Sequence, residues 1–123
     1  MNSVIITGGL DVVAYRFLNL LNIDVLANKL EFDQYNHLTG NAVTMVDVER
    51  KDLTLKKYLE NKKSMKIIAV GDGEVDIPMF KMADHSIAFN PINEEVEKNS
   101  SISIKEKNLE ILVHVLNSLG VVN

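Results

Sequence analysis

The sequence predicts an α/β fold with a mostly parallel sheet, because short apolar strand patterns alternate with helical patterns along its 123 residues. Such alternation is typical of right-handed strand, helix, strand units that place helices on both faces of a sheet. The length fits one domain, and neither an internal repeat nor a linker rich in proline, glycine or serine divides the chain. Residues 1–123 are therefore predicted to form a single domain.

The first half of the chain is predicted to contain a strand, a helix and a hairpin. Residues 3–7 are a β-branched strand that Gly8 and Gly9 are expected to end. Residues 10–21 show helical spacing. Residues 24–43 are predicted to form a β-hairpin, because Leu30 and Phe32 alternate with charged neighbours before a turn at 34–37. The helical spacing rests on four apolar positions: Val13, Phe17, Leu20 and Leu21.

The second half is predicted to repeat strand and helix. In order, its elements are a polar helix at 49–61, an apolar strand at 66–70, a short helix at 76–83, strands at 86–89 and 102–104, and an amphipathic helix at 108–119. The whole order predicts a three-layer sandwich with a Rossmann-like sheet and a small β-hairpin. In such folds, ligands bind beyond the carboxyl ends of the strands.

Composition excludes several classes of partner. A formal net charge of -4 provides no basic surface for a nucleic-acid backbone or an anionic membrane. No run of about 18 apolar residues is present, so no membrane span is predicted. The chain has no cysteine, which excludes disulfides, thiolate zinc sites and thiol nucleophiles. With no secretory signal at the N-terminus, a cytoplasmic location is expected.

An acidic loop at 71–76 follows the strand at 66–70. Glycine on each side of Asp72 allows a sharp turn at the strand tip. Asp76 comes four residues later, in the first turn of the next helix, and brings a second carboxylate toward the same side. Two such carboxylates suit Mg²⁺, which keeps several waters and shares its remaining positions with phosphate. The alternative is that Asp76 is only a favourable acid at a helix start.

Two further segments are candidate phosphate ligands. Thr7, Gly8 and Gly9 join a strand tip to a helix, so a hydroxyl and free backbone N–H groups could surround an anion. A plain glycine turn would give the same sequence. Lys51 lies near the start of the polar helix, where a lysine is ordinarily a solvated surface residue. The residues alone leave both alternatives open.

Taken together, these segments resemble the phosphoserine-phosphatase-like branch of the haloacid dehalogenase superfamily. The resemblance covers nearly the whole chain and rests on the order and separation of several motifs. The matching segments are a strand ending in Thr-Gly-Gly at 4–9, the hairpin segments 27–31 and 38–40, the motif lysine at Lys51, the acidic motif at 68–79 and the strand Ile-Ala-Phe-Asn at 87–90.

The resemblance implies a role for each candidate residue. In that family, the hydroxyl of the second motif and the motif lysine hold the phosphate, which implies Thr7 and Lys51 here. Gly8 matches the backbone N–H donor to phosphate. Asp72 matches the first acid of the metal motif, and Asp76 matches the second acid, which lies near Mg²⁺ and is often bound through water. Such a set neutralises charge on a transferring phosphoryl group.

Two departures from the family pattern limit this interpretation. The first motif, Asp-x-Asp-x-Thr/Val, supplies the aspartate nucleophile and the general acid, yet no two aspartates separated by one residue occur in this sequence. No catalytic residue is therefore assigned, and the domain is expected to be incomplete, without the family's central first strand and cap. Val75 stands where the family usually has asparagine, and its apolar side chain cannot hydrogen-bond to phosphate.

Several functional hypotheses follow. The first is a magnesium-dependent phosphohydrolase acting on small phosphomonoesters, impaired or inactive as this chain alone. Activity without the first motif would need another carboxylate, such as Asp11, as the nucleophile. The second is a non-catalytic phosphate- or metal-binding remnant, or half of a split phosphatase completed by a partner chain or a second copy. The third is a truncated gene product. The sequence identifies neither the substrate nor the oligomeric state, and whether the chain is an enzyme stays open.

Overall fold

The computed structural model describes residues 2–18 and 21–121, and within them the α/β class with mostly parallel strands is confirmed. These residues form two compact units, an N-terminal unit (Asn2–Glu60) and a C-terminal unit (residues 61–121). The assignment of the whole chain to one domain stays a prediction. Of the positions that predicted the first helix, Leu20 and the side chain of Phe17 lie outside the described residues.

The N-terminal unit contains one three-stranded sheet in the order β1-β2-β3. β1 and β2 are parallel, whereas β2 and β3 form the predicted antiparallel hairpin, with Lys29 opposite Val43 and Phe32 opposite Leu38. The elements are β1 (Val4–Leu10), α1 (Asp11–Leu18), β2 (Asp24–Phe32), β3 (Leu38–Val43), a short 3-10 helix (Val48–Arg50) and α2 (Lys51–Leu59).

The prediction that Gly8 and Gly9 end the first strand is wrong. β1 continues to Leu10, but its register with β2 shifts: Ile6 pairs with Leu26 and Leu10 pairs with Asn28. β1 therefore advances by four residues where β2 advances by two. Glycines inside a strand often mark such an irregularity, because they have no side chain to pack on the sheet.

The C-terminal unit contains a fully parallel sheet in the order β4-β5-β6. Its strands and last helix lie close to their predicted positions, but α4 was not predicted. The segment after Asn90 and Pro91 is highly charged, and helix α4 begins there because the Asn93 side chain accepts a hydrogen bond from the backbone N–H of Val96 (3.1 Å). The elements are β4 (Ile68–Gly71), a 3-10 helix (Glu74–Asp76), α3 (Ile77–Phe80), β5 (His85–Phe89), α4 (Glu94–Lys98), β6 (Ile102–Ile104) and α5 (Leu109–Ser118).

The core of the C-terminal unit lies around its central strand. Ile87 and Ala88 of β5 are 0% exposed, as expected for a parallel strand covered on both faces. One side of this core consists of Ala69, Phe80, Ala88 and Val96. In the N-terminal unit, the buried apolar residues are Leu18, Ala27, Val46 and Leu55. No helix within the described ranges is long and apolar enough to cross a membrane.

Candidate phosphate and metal site

Thr7 lies inside β1 and is half-buried. Its hydroxyl oxygen accepts a hydrogen bond from the backbone N–H of Gly9 (3.0 Å), which fixes the side chain over the glycine pair. A threonine hydroxyl has one proton to donate in addition to its acceptor positions. The Thr7 O–H can therefore still donate to an anion while its oxygen accepts from the N–H of Gly9.

Gly8 is required by close packing. A Cβ atom at this position would collide with Cγ1 of Val48, which belongs to the 3-10 helix immediately before α2. A larger residue here would require a shift of the Val48 side chain, of that helix or of β1. Within the N-terminal unit, the segment that leads into Lys51 therefore lies directly against the glycine predicted to donate to phosphate.

Asn28 of β2 joins these two segments, a role that the sequence analysis did not assign. Its side-chain amide nitrogen donates to the carbonyl oxygen of Gly8 (3.1 Å). Its side-chain oxygen accepts from the backbone N–H groups of Met45 (2.8 Å) and Val46 (2.9 Å). One half-buried side chain thus ties the end of β1 to the segment before the 3-10 helix. The only signal in the sequence was its place within the hairpin segment 27–31.

Lys51 is the first residue of α2 and is only 9% exposed, which excludes a solvated surface lysine. Asp47 sets the turn before it, because its side chain accepts from the N–H of Glu49 (3.0 Å) and its carbonyl oxygen accepts from the N–H of Arg50 (3.0 Å). A buried ammonium group is tolerated where anionic groups and hydrogen bonds compensate for lost water. The role of Lys51 as a phosphate ligand stays a prediction.

The positive charge of the neighbouring residue Arg50 is compensated by Asp52 at the start of α2. Its guanidinium donates two hydrogen bonds to the carboxylate of Asp52 (3.0 and 2.9 Å). These bonds from Arg50 lower the pKa of the Asp52 carboxyl group, and the same pairing raises the pKa of Arg50. Arg50 and Lys51 are thus adjacent in sequence but differ in environment: Arg50 is exposed and paired with Asp52, whereas Lys51 is buried.

In the C-terminal unit, the two predicted metal ligands have different environments. Asp76 is 5% exposed, and one of its carboxylate oxygens accepts from the backbone N–H groups of Asp72 (3.0 Å) and Gly73 (3.1 Å). Gly71 makes this possible, since a Cβ there would collide with the Asp76 carboxyl group. Asp72 itself is exposed, and its carboxylate has no hydrogen bond or ion pair with any described residue.

The acidic loop is also tied to the segment before α4. The carbonyl oxygen of Asp72 accepts from the backbone N–H of Ile92 (3.0 Å), and the Asn93 side chain donates to the Glu74 carboxylate (2.6 Å). Asn93 also caps α4, so one side chain connects the loop to that helix. Val75 is exposed within this loop and offers no hydrogen bond from its apolar side chain.

The acidic loop fits a magnesium ion that keeps most of its water ligands. Among the residues that the structure describes, no three His, Cys, Asp or Glu side chains are grouped to hold a metal ion. Mg²⁺ does not need such a cage, since it is commonly bound through one or two carboxylates plus water and phosphate. Asp72 provides a free carboxylate, whereas Asp76 also stabilises the loop through the N–H groups of Asp72 and Gly73, a role that neither interpretation of the sequence included.

Comparison with known proteins places the chain in a family. A model of the haloacid dehalogenase-like hydrolase family matches residues 2–81. A phosphoserine phosphatase of Lactococcus lactis subsp. lactis (strain IL1403) is 35% identical over 120 residues, covering 94% of this chain and 55% of that protein. The chain thus spans about half the length of this curated relative.

Solved structures agree with this similarity. A phosphoserine phosphatase crystallised in the apo form is 27% identical, with a TM-score of 0.75 over 90% of this chain and 56% of the other. A probable phosphoserine phosphatase from Vibrio cholerae shares the fold, with 24% identity and a TM-score of 0.81 over 95% of this chain and 37% of the other. The chain belongs to the haloacid dehalogenase-like hydrolase family. Within it, the similarity is to the phosphoserine-phosphatase-like branch.

Proposed function

We propose that this chain carries the phosphate-binding and Mg²⁺-binding residues of a phosphohydrolase that acts on small phosphomonoesters, in the manner of phosphoserine phosphatases. The observation that carries the proposal is the division of roles in the acidic loop. Asp76 holds the loop through two backbone N–H groups, and Asp72 is left exposed with a free carboxylate at the end of β4. Membership of the family supports the same assignment.

Each residue then has one task. The Thr7 hydroxyl and the Gly8 N–H donate hydrogen bonds to phosphate oxygens, and the Lys51 ammonium group compensates their charge. Asp72 would hold Mg²⁺ directly, while Asp76 would position Asp72 through the loop that it stabilises. When bound, Mg²⁺ supplies further charge neutralisation for a phosphoryl group. The ligand class is a small phosphorylated molecule or phosphate itself.

We assign no nucleophile among these 123 residues. They contain no two aspartates separated by one residue, so the Asp-x-Asp motif is not among them. Asp11 is a weak substitute, because one of its carboxylate oxygens accepts from the N–H of Val12 (2.8 Å) at the start of α1. We therefore expect little or no turnover from this chain alone. We propose a cytoplasmic location, which the lack of cysteine suits.

The second candidate function is a binding remnant, or half of a split phosphatase completed by a partner chain or a second copy. The observation that favours completion by another chain is that two edge strands contain no charged residue. β1 and β4 each lie at one edge of their three-stranded sheet among the described residues. Neither strand contains a charged residue, and Ile5 (42%) and Val70 (37%) are exposed on them. Uncharged edge strands are ready templates for a further strand.

The test is hydrolysis of 4-nitrophenyl phosphate by the purified chain with Mg²⁺, comparing wild type, Asp72→Asn and the exposed control Glu106→Gln. Turnover that is lost in Asp72→Asn and kept in Glu106→Gln would show that the chain is a minimal phosphatase. An absence of turnover, together with Mg²⁺-dependent phosphate binding, supports a binding module or half-enzyme. The mass in solution, measured by light scattering, then separates a single chain from a dimer.

A further inference from the structure

A cleft of about 420 Å³ lies within the N-terminal unit, between α1, β2 and α2. Its volume is in the range of small-molecule sites, which commonly run from about 300 to 1,000 Å³. Val25, Leu26 and Ala27 of β2 contribute apolar surface to it. The residues proposed to hold phosphate, Thr7, Gly8 and Lys51, are not among its lining residues. The cleft is therefore a separate feature of the unit.

Three of the charged side chains that line the cleft already have local partners. One carboxylate oxygen of Asp11 accepts from the N–H of Val12, and Asp47 accepts from the N–H of Glu49. Arg50 is paired with Asp52 through two hydrogen bonds. One oxygen of each acid is held by a backbone donor at a helix start, although both acids keep their negative charge, and the Arg50 guanidinium is compensated by the Asp52 carboxylate.

The ammonium groups of Lys29 and Lys57 differ from these three. Both lysines line the cleft, Lys29 from β2 and Lys57 from α2. Neither ammonium group has a hydrogen bond or ion pair with a residue that the structure describes. Two unpaired cations beside an apolar surface leave attraction for an anion unused, because charge-assisted hydrogen bonds to a carboxylate are about twice as strong as neutral ones.

Two tyrosines add flat surface to the cleft. Tyr15 of α1 and Tyr58 of α2 both line it. The Tyr58 hydroxyl donates a 2.6 Å hydrogen bond to the Asp24 carboxylate, which fixes the position of the ring. Aromatic rings of this kind pack well against a planar apolar ligand. The lining thus combines flat apolar surface with two free positive charges.

We propose that this cleft binds a small organic anion with a flat apolar body, whose anionic group is held by Lys29 and Lys57. The proposal goes beyond the phosphate and Mg²⁺ chemistry, since it concerns different side chains and a ligand without a phosphoryl group. The probe that represents this class is benzoate, and its neutral and cationic counterparts are benzamide and benzylamine.

The test follows backbone amide signals of the full chain by nuclear magnetic resonance during titration with each probe. Benzoate is expected to shift signals of residues 25–27 and 54 saturably, with an affinity at least fivefold higher than that of benzamide. The double variant Lys29→Gln, Lys57→Gln is expected to lose this preference. Lys56→Gln, on the same helix but outside the lining, is expected to keep it.

Three results would overturn the proposal. Binding of benzylamine as tight as that of benzoate, or tighter, would show that Asp11 and Asp47 set the charge preference of the cleft. An unchanged preference for benzoate in the double variant would remove the role of the lysines. Benzoate shifts centred on Thr7, Gly8 and Lys51, and abolished by inorganic phosphate, would place the anion at the phosphate ligands. Phosphate binding is measured independently, so failure here is distinguishable from failure of the proposed function.

Discussion

The two units hold their candidate ligands in different ways. In the C-terminal unit, Asp72 and Asp76 follow a parallel strand beside a core in which Ile87, Ala88 and Val96 are 0% exposed. In the N-terminal unit, several apolar residues of the first strand and first helix stay exposed, including Ile5 (42%) and Val13 (58%). The phosphate-binding segment there depends on the Asn28 side chain and on the close contact between Gly8 and Val48.

The acidic loop thus combines its own hydrogen bonds with a strand beside a fully buried core, whereas the phosphate-binding segment depends mainly on a few specific contacts. Regions with few buried apolar contacts open at lower free energy than regions built on a core. The N-terminal unit should therefore exchange its backbone amides sooner than the C-terminal unit.

The largest expected difference is between two phenylalanines, one in each unit. Phe80 is 3% exposed in the C-terminal core, and Phe32 is 44% exposed at the end of β2. Phe80→Ala should lower the free energy of unfolding by about 3–5 kcal/mol, through lost burial and a cavity. Phe32→Ala should cost about 1 kcal/mol or less, because much of the ring already contacts water. Urea unfolding of both variants measures the difference, and equal costs would break the comparison.

A second prediction concerns the glycines on either side of Asp72. Gly71→Ala should destabilise the C-terminal unit by about 1–3 kcal/mol, because the new methyl group collides with the Asp76 carboxyl group. Gly73→Ala is the matched control, since its Cβ would meet its nearest neighbours at 3.7 and 3.9 Å, which is ordinary contact. Thermal unfolding compares the two, and a silent Gly71→Ala would show that Asp76 is not packed against the strand.

A third prediction tests the junction in the N-terminal unit. Asn28→Ala removes three hydrogen bonds and leaves the Met45 and Val46 N–H groups without that acceptor. The expected cost is about 1–3 kcal/mol, with faster amide exchange at Gly8 and Val46. Asn41→Ala on the exposed strand β3 is the control and should change neither quantity. If the amides of Gly8 and Val46 exchange at wild-type rates in Asn28→Ala, Asn28 does not hold these two segments together.

The smallest expected effect is a pH dependence in the N-terminal unit. The hydrogen bond from Tyr58 to Asp24 is the main cause that raises the pKa of the phenol. A raised pKa in the folded state favours the protonated form, so the associated stability is present below the unfolded pKa of about 10 and is lost as pH rises through the folded pKa. Phenolate absorbance should show one titration step above the usual pH range for tyrosine. Tyr58→Phe should remove that step. Tyr35→Phe should leave that step in place.

Much of the fold was predictable because strands and helices have different apolar periods. The hairpin, the alternation of elements and the strand Ile102–Ile104 follow from those patterns. The strand through Gly8 and Gly9 was not predictable, because it depends on pairing with β2 across a register shift. Helix α4 was missed because Val96 is the only apolar residue in its charged sequence, and its burial comes from tertiary packing.

The candidate site was predictable as a set of residue types and motif positions, but its internal roles were not. Sequence spacing placed Asp72 and Asp76 in one loop as two metal ligands. The structure shows that one oxygen of Asp76 is already engaged by two backbone N–H groups, a contact that depends on the shape of the turn. Likewise, the burial of Lys51 and the bridging role of Asn28 depend on residues distant in sequence, which periodicity does not reveal.

The most direct test of the central claim is calorimetric titration of the chain with inorganic phosphate in the presence of Mg²⁺. The variants are Lys51→Gln, the exposed control Lys56→Gln and Asp72→Asn, with folding of each verified by its amide spectrum. The account predicts saturable binding that is lost in Lys51→Gln, kept in Lys56→Gln, and weakened at least tenfold in Asp72→Asn or without Mg²⁺. A phosphate affinity equal to wild type in folded Lys51→Gln would contradict this role of Lys51. A wild-type affinity in Asp72→Asn, whose substituted side chain is exposed, would contradict the role of Asp72.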